Sequence, residues 1–217
     1  QNIGAYGVEL ERFVRSVHAL ELSSGEALTL SAAECRFGYR DSIFKGELRD
    51  RVVITAVDLA LSKHARCQLG YPALVEELAD RGVDSPQPRD VFEAVVSVRQ
   101  RRLPDPVVEP NVGSFFKNPV LSADHAVQLV KLHPELPNYE QDDGSVKVPA
   151  AWLIEQCGWK GRREGCLGVH PRHALVLVNY GDARGADLLA FAGRIVSSVV
   201  QRFDIELEME PRVYGYE

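Results

Sequence analysis

Two short segments carry the residues best suited to chemistry. The first, residues 35–45, places Arg40 and Asp41 beside Ser42 among aromatic side chains. An arginine is permanently charged, and its planar fork binds a carboxylate at two points. Arg40 is therefore a candidate for holding a substrate carboxylate or an enolate. The alternative is an Arg40–Asp41 pair that ties down a loop.

The second segment, residues 113–119, places Ser114 before two phenylalanines and Lys117. In a closed pocket a serine hydroxyl can protonate a carbanion, because a strongly basic acceptor compensates for the weak donor. The alternative is a turn or cap hydrogen bond. A serine hydrolase is disfavoured, because no G-x-S-x-G elbow surrounds Ser114.

Two further pairs of titratable residues lie near the end of the chain. Glu208 and Glu210 share one face if residues 205–209 form a strand. Such a carboxylate is a candidate acid, base or electrostatic partner where it faces a pocket, and a solvated edge strand is the alternative. His170 and His173 have no nearby carboxylate set, so we expect a structural role for them and no metal site.

The composition is that of an ordinary globular protein. The 217 residues, 45% hydrophobic and 26% charged, suffice for one large domain or two modest ones. A net charge of −6 disfavours non-specific nucleic-acid binding. Four cysteines without C-x-x-C spacing suit a reducing, cytoplasmic compartment, and no apolar run is long enough to span a membrane. The sole methionine, Met209, in a chain that starts at Gln1 indicates a processed protein or a fragment.

Local patterns predict an α+β chain. A hairpin is expected from residues 17–22 and 27–30, and a buried strand over 52–61. Helices are expected over 73–81, from an N-cap at Ser85 to 102, and over 123–132, 149–157 and 186–203, with strands over 174–178 and 205–209. The proline-rich run at 103–106 is the predicted domain boundary.

Five motifs together resemble one family, the UDP-N-acetylenolpyruvoylglucosamine reductases, flavoenzymes of bacterial peptidoglycan synthesis. They are residues 1–10, 35–45, 103–106, 113–119 and 151–154, in the family's order and similar spacing. The resemblance implies that residues 1–103 are the remainder of a vanillyl-alcohol-oxidase-type FAD-binding domain whose glycine-rich amino-terminal part is missing. It implies a smaller α+β substrate-binding domain over 104–204, and a carboxy-terminal strand, 205–217, that returns to the FAD domain.

The resemblance also implies an oxidoreductase mechanism. NADPH would reduce FAD, and the enolpyruvyl group of UDP-N-acetylglucosamine enolpyruvate would be reduced to give UDP-N-acetylmuramate. Arg40 and Glu210 would polarise and stabilise the substrate carboxylate, and Ser114 would deliver the proton.

Further site residues follow from the same resemblance. The implied substrate contacts are Tyr71, Arg102, Asn118, Tyr139 and Lys160, and the implied flavin contacts are Ile3, Gly4 and Ile54. Two positions depart from the family pattern: Arg102 stands where lysine is frequent, and Pro211 follows Glu210 where a residue with an N–H is expected.

A second hypothesis is a non-catalytic UDP-sugar-binding fragment that lacks the flavin site. Under either hypothesis we expect no nucleic-acid, membrane or obligate protein partner.

Overall fold

The computed structural model describes residues 1–64 and 66–215. The chain divides into two compact units, Gln1–Arg99 and Gln100–Glu217. Each unit combines helices with antiparallel sheet, as the α+β pattern predicts. In the part of the chain that the structure describes, no helix is both long and apolar enough to cross a membrane.

A three-stranded antiparallel sheet organises the first unit. Its strand order is β4-β3-β5, with Val17 of β3 opposite Leu30 of β4 and Val57 of β5, and the predicted hairpin is confirmed. In chain order the elements are β1 (Gly4–Ala5), β2 (Val8–Glu9), a 3-10 turn (Leu10–Phe13), β3 (Val14–Glu21), β4 (Ala27–Ser31), a 3-10 turn (Ile43–Lys45), β5 (Val52–Leu59), α1 (Pro72–Asp80) and α2 (Pro88–Arg102).

Strand β5 forms where it is predicted, but the prediction that it is buried is wrong. Val53, Ile54 and Val57 are each more than two-fifths exposed. The strand lies at the edge of a three-stranded sheet, and the buried residues of this sheet, Val14, Val17 and Ala19, all belong to β3. A β-branched run favours a strand, but burial requires a second layer against that strand.

Helix α2 begins three residues after the predicted cap at Ser85. The N–H of Gln87 donates to the carboxylate of Asp90 (2.8 Å), and Pro88 is the first helical residue. A proline suits the first helical position, because an N–H at that position has no partner within the helix and its lack in proline loses no hydrogen bond. The predicted start of α2 is therefore wrong by three residues. Pro86 and Pro88 both suit the first helical position, and the acidic residue that caps the helix, Asp90, follows Pro88.

The second unit contains two small antiparallel sheets and three helices. One sheet has the order β10-β11-β12-β6 and the other β7-β9-β8. In chain order the elements are β6 (Asn111–Ser114), β7 (Val120–Leu121), α3 (Ala123–Leu132), β8 (Tyr139–Glu140), β9 (Val146–Lys147), α4 (Ala150–Gln156), β10 (Arg163–Glu164), β11 (Leu167–Val169), β12 (Val176–Asn179) and α5 (Gly185–Phe203).

Helix α5 supplies one wall of the core of the second unit. Phe191, Ile195, Val199 and Phe203 are buried, and their spacing of four residues places them along one face of this helix. They belong to one cluster with residues of α4 and β12. Burying each such side chain contributes roughly 1.5–3 kcal/mol.

The predicted strand over 205–209 is wrong, because this segment has no regular structure. Met209 forms a single isolated bridge with Phe116, and the N–H of Lys117 donates to the carbonyl of Glu208 (2.9 Å). Ile205 and Leu207 are buried in the core of the second unit. The alternation of apolar and acidic residues in this segment is thus explained by the burial of Ile205 and Leu207. The return of this strand to the first unit stays a prediction, and its residues 216–217 lie outside the described residues.

Candidate active site

Arg40 is held within the first unit by the amino-terminal turn. Its guanidinium donates to the carbonyl oxygens of Gly4 (2.6 Å) and Asn2 (3.3 Å), and it lies 3.4 Å from the Glu9 carboxylate. The side chain is only 15% exposed. The backbone of Arg40 has a φ of 53°, which is uncommon for a residue with a side chain. A tight turn therefore fixes the direction of this cation in the absence of a ligand.

An apolar hollow of about 180 Å³ lies between the amino-terminal segment and the sheet of the first unit. Ile3 and Ile54, two predicted flavin contacts, both line it and are 59% and 46% exposed. Gly4 adjoins Ile3, and a Cβ at Gly4 would clash with the Glu9 carboxyl group. Exposed aliphatic side chains beside a glycine turn offer an apolar surface to a ligand.

Tyr71 lies at the start of α1 in the same unit. It is the residue before Pro72, and its ring meets that of Tyr6 edge to face at 5.3 Å. Among the described residues, those that line a larger hollow of about 880 Å³ in this unit include none of the predicted site residues. The residues that the sequence predicts to carry the chemistry therefore do not line the larger hollow.

The second unit places Ser114 and Glu210 on neighbouring segments. Ser114 is the last residue of β6 and lies opposite Val176 of β12. The N–H of Glu210 donates to the carbonyl of Phe115 (2.9 Å), one residue after Ser114. Pro211 does not disturb this bond, since the N–H that anchors the backbone is that of Glu210 itself.

An ion pair helps to hold these two segments together. The ammonium group of Lys117 contacts the carboxylate of Glu208, and only 12% of the Lys117 side chain is exposed. The hydroxyl of Ser114 has no hydrogen-bond partner within residues 1–64 and 66–215, so the alternative role in a turn or cap is not seen. Ser114 is thus a half-buried hydroxyl on a fixed backbone.

Of the five predicted substrate contacts, Arg102 and Lys160 lie near enough to His173 for their charges to act on it. Burial lowers the pKa of His173, and the charges of His170, Arg102 and Lys160 lower this pKa further. Lys160 donates to both carboxylate oxygens of Glu155 at 3.0 Å. The sequence predicts a structural role for His173, because two histidines without a nearby carboxylate set do not make a metal site.

Tyr139 and Asn118 differ in their surroundings. Tyr139 lies exposed on β8. The side-chain oxygen of Asn118 accepts the N–H of Ala150 (3.0 Å), the first residue of α4. Asn118 therefore has a structural role that the sequence did not indicate. The described residues contain no cluster of three or more His, Cys, Asp or Glu side chains suited to a metal ion.

Replacing Asn118 by alanine is expected to lower the free energy of unfolding by about 1 kcal/mol, as loss of a helix cap does. Asn118→Asp is the matched control, because a carboxylate still accepts the Ala150 N–H at the positive end of the helix. Urea denaturation followed by tryptophan fluorescence measures both variants. Equal stability of Asn118→Ala and wild type would exclude the capping role.

The comparisons with known proteins agree with the motifs. Residues 105–214 match the family described as UDP-N-acetylenolpyruvoylglucosamine reductase, C-terminal domain. The chain belongs to this reductase family. The resemblance recognised from the five motifs is thereby confirmed.

Curated relatives in this reductase family match almost the whole chain. The chain is 52% identical to the UDP-N-acetylenolpyruvoylglucosamine reductase of Chromobacterium violaceum over 98% of its length, and 52% identical to that of Xylella fastidiosa over 99%. It spans 63% and 61% of these two relatives. The chain therefore corresponds to somewhat less than two thirds of each relative.

A solved structure shows the same fold. The crystal structure of the UDP-N-acetylenolpyruvylglucosamine reductase from Thermus caldophilus matches with a TM-score of 0.58 at 23% identity. The match covers 99% of this chain and 57% of that one. At this identity the likeness establishes the mixed α/β fold alone.

Proposed function

We propose that this chain takes part in the NADPH- and FAD-dependent reduction of UDP-N-acetylglucosamine enolpyruvate to UDP-N-acetylmuramate, a cytoplasmic step of peptidoglycan synthesis. The observation that carries the proposal is 52% identity across 98% of the chain to a reductase of this name. Because the chain spans 63% of that relative, the activity is proposed for the full-length protein that contains it.

Residues 1–103 are proposed as part of a flavin-binding domain of the vanillyl-alcohol-oxidase type, with a substrate-binding domain over 104–204 and a carboxy-terminal segment over 205–217. The apolar hollow supports this assignment, because Ile3 and Ile54 offer exposed aliphatic contacts to a ring. FAD, kept reduced by NADPH, would supply the hydride. Ile3, Gly4 and Ile54 would hold and orient the ring.

Arg40 is assigned to the carboxylate of the substrate. Reduction of the enolpyruvyl double bond places negative charge on the carbon beside that carboxylate, and the charge spreads into it as an enolate. A fixed guanidinium stabilises this charge without reorganising, and such preset donors give the largest catalytic effects. Two observations support this role. The Arg40 guanidinium donates hydrogen bonds to the carbonyl oxygens of Gly4 and Asn2, and its side chain is little exposed.

Ser114 is assigned the proton that completes the reduction, and Glu210 is assigned to polarise the substrate carboxylate together with Arg40. The hydrogen bond from the Glu210 N–H to the Phe115 carbonyl supports a joint role, since it fixes Glu210 beside the Ser114 segment.

The remaining predicted residues are assigned to the UDP-sugar. Arg102 and Lys160 suit a diphosphate, because both lie near enough to His173 to lower its pKa by their charge. Asn118 would contact the ligand through its amide nitrogen, since its oxygen accepts the Ala150 N–H. Tyr71 and Tyr139 are proposed as further contacts through their phenol groups.

Arg40→Lys in the full-length protein is expected to lower kcat/KM by about 10²–10³-fold, as loss of one preset donor does. Lysine has no planar fork, so it cannot hold the amino-terminal carbonyls and bind a carboxylate at two points. Steady-state NADPH oxidation with the enolpyruvyl substrate measures the effect.

The matched control is Arg49→Lys, because Arg49 is exposed and contacts only the neighbouring Asp50 among the pairs described. We expect this variant to keep wild-type kcat/KM. An Arg40→Lys enzyme with wild-type kcat/KM would contradict the assignment of Arg40.

A further inference from the structure

The segment that carries Glu210 meets the segment that carries Ser114 at one short antiparallel bridge. In this bridge Met209 lies opposite Phe116. One backbone hydrogen bond of 2.9 Å flanks the bridge on each side. Residues 211–215, which follow Glu210, contain no helix or strand. The bridge therefore sets where the backbone of Glu210 lies relative to Ser114.

Two oppositely charged side chains lie beside this bridge. Neighbouring side chains of extended backbone point to opposite faces, so Lys117 and Glu208 share the face opposite to that of Phe116. The ammonium group of Lys117 contacts the carboxylate of Glu208 across the two segments. Glu210, two residues after Glu208, belongs to the same face. The ion pair is thus the cross-strand neighbour of the carboxylate that the proposed function assigns to the substrate.

The two members of the ion pair differ in their exposure. Only 12% of the Lys117 side chain is exposed, against 65% of the Glu208 side chain. An ammonium group removed from water costs free energy unless a counter-charge lies beside it. Lys117 therefore requires Glu208, whereas Glu208 stays solvated without Lys117. The pair adds a charged contact between the two segments to a bridge that is only one residue pair long.

We propose that Lys117 and Glu208 are positioning residues for the reduction and that neither touches the substrate. Their ion pair holds Glu210 in place relative to Ser114, so that Glu210 meets the substrate carboxylate while Ser114 delivers the proton to the adjacent carbon. This inference rests on the proposed function, which gives roles to Ser114 and Glu210 and none to the ion pair. A misplacement of about 1 Å can lower a rate roughly 10²-fold, so a contact that prevents it affects the rate.

Loss of the ion pair is expected to slow one step only. Under the proposed function, reduction of the enolpyruvyl group uses Ser114 and Glu210, whereas reduction of the flavin by NADPH uses neither. We therefore expect a lower kcat with an unchanged KM for the enolpyruvyl substrate and an unchanged rate of flavin reduction. A general loss of stability would instead slow both half-reactions or reduce the amount of bound flavin.

Glu208→Gln in the full-length, FAD-loaded protein tests this inference. The amide keeps the shape of the side chain and removes its charge, and the fold is retained because Glu208 is exposed. We expect kcat to fall about tenfold, part of the loss that a full 1 Å misplacement can cause. Rapid-mixing absorbance measures the two half-reactions separately, and the flavin spectrum measures bound FAD. Glu208→Asp keeps the charge and is expected to retain most of the wild-type rate.

A double-mutant cycle shows whether Lys117 acts through Glu208. Lys117→Met keeps an unbranched apolar side chain without the ammonium group, and we expect it to lower kcat as much as Glu208→Gln does. The double variant is expected to lose no more than either single variant, because the effects of residues that act as one pair are not additive. Arg89→Met is the matched control, since it removes only an exposed ion pair with Glu93 on α2, and is expected to behave as wild type.

The outcomes distinguish this inference from the proposed function. Wild-type kcat in both single variants would overturn the role of the ion pair and leave the proposed reductase activity intact. Losses that multiply in the double variant, or a raised KM in Lys117→Met alone, would also overturn it, because Lys117 would then act on the substrate directly. Equal slowing of flavin reduction would overturn it in favour of a purely structural role. No substrate-dependent oxidation by FAD-loaded wild type would overturn both the inference and the proposed function.

Discussion

Ser114→Ala in the full-length protein is expected to lower kcat for reduction of the enolpyruvyl substrate by about 10²–10⁴-fold, the usual contribution of a positioned general acid. The hydroxyl lies at the end of β6 and has no hydrogen bond to another described residue, so its removal leaves the fold intact. The decrease in kcat then measures the contribution of proton delivery by Ser114. Reduction of the flavin by NADPH requires no proton from Ser114, and we expect its rate to stay unchanged.

Rapid-mixing absorbance separates the two half-reactions of the Ser114→Ala enzyme. Ser114→Cys is expected to recover part of the lost rate, because a thiol is a stronger acid than a hydroxyl. Ser197→Ala is the matched control, since the Ser197 hydroxyl only donates to the Gly193 carbonyl on the exposed side of α5. Equal slowing of both half-reactions by Ser114→Ala, or no slowing, would contradict the assignment.

Phe191→Ala is expected to lower the free energy of unfolding by about 3–5 kcal/mol. Phe191 is 1% exposed and packs edge to face on Trp159 at 5.5 Å. Its removal leaves a cavity between α5 and the rest of the core, which rigid neighbours fill only partly. Phe191 is one of the largest fully buried side chains of the second unit.

Chemical denaturation followed by tryptophan emission measures the effect of Phe191→Ala. Both tryptophans, Trp152 and Trp159, belong to the second unit, so the signal reports that unit. Leu132→Ala is the matched control, because Leu132 is 76% exposed on α3 of the same unit and its loss is expected to cost no more than about 0.5 kcal/mol. A similar small loss for both variants would contradict the core that the structure describes.

The sequence predicts the helices of the second unit well because their signals are local. Ser122 accepts the N–H of His125 as the N-cap of α3, and Gly158 adopts a φ of 75° after α4. Glycine is favoured there because it has no Cβ penalty in the left-handed region. The apolar face of α5 likewise follows from its 3.6-residue period.

Burial could not be predicted where it depends on neighbours distant in sequence. A β-branched run such as that of β5 occurs both in strands that are covered on one face and in strands that are covered on two. The run therefore predicts burial of Ile54, which is half exposed in the structure. For the segment 205–209 the error is the opposite one, because a strand is predicted and none forms. Its alternation reflects burial of Ile205 and Leu207 in the core, without a partner strand along its length.

The candidate site is predicted from residue types and from the family resemblance, and the orientation of its side chains requires the structure. Residues 35–45 and 113–119 stand out because Arg40 and Ser114 are unusual among aromatics. Asn118 belongs to the same motif, yet its oxygen caps α4, a contact across 32 positions that no local pattern shows. The Nδ1 of His173, unpaired among the described residues, likewise has no local signal in the sequence, because it is a property of packing alone.

The measurement that tests the central proposal most directly is NADPH oxidation by the full-length, FAD-loaded protein with and without UDP-N-acetylglucosamine enolpyruvate. We predict oxidation that depends on this substrate, with a product heavier than the substrate by two hydrogen atoms. Substrate-independent oxidation, or none, by a protein that has bound its flavin would contradict the proposed reductase activity.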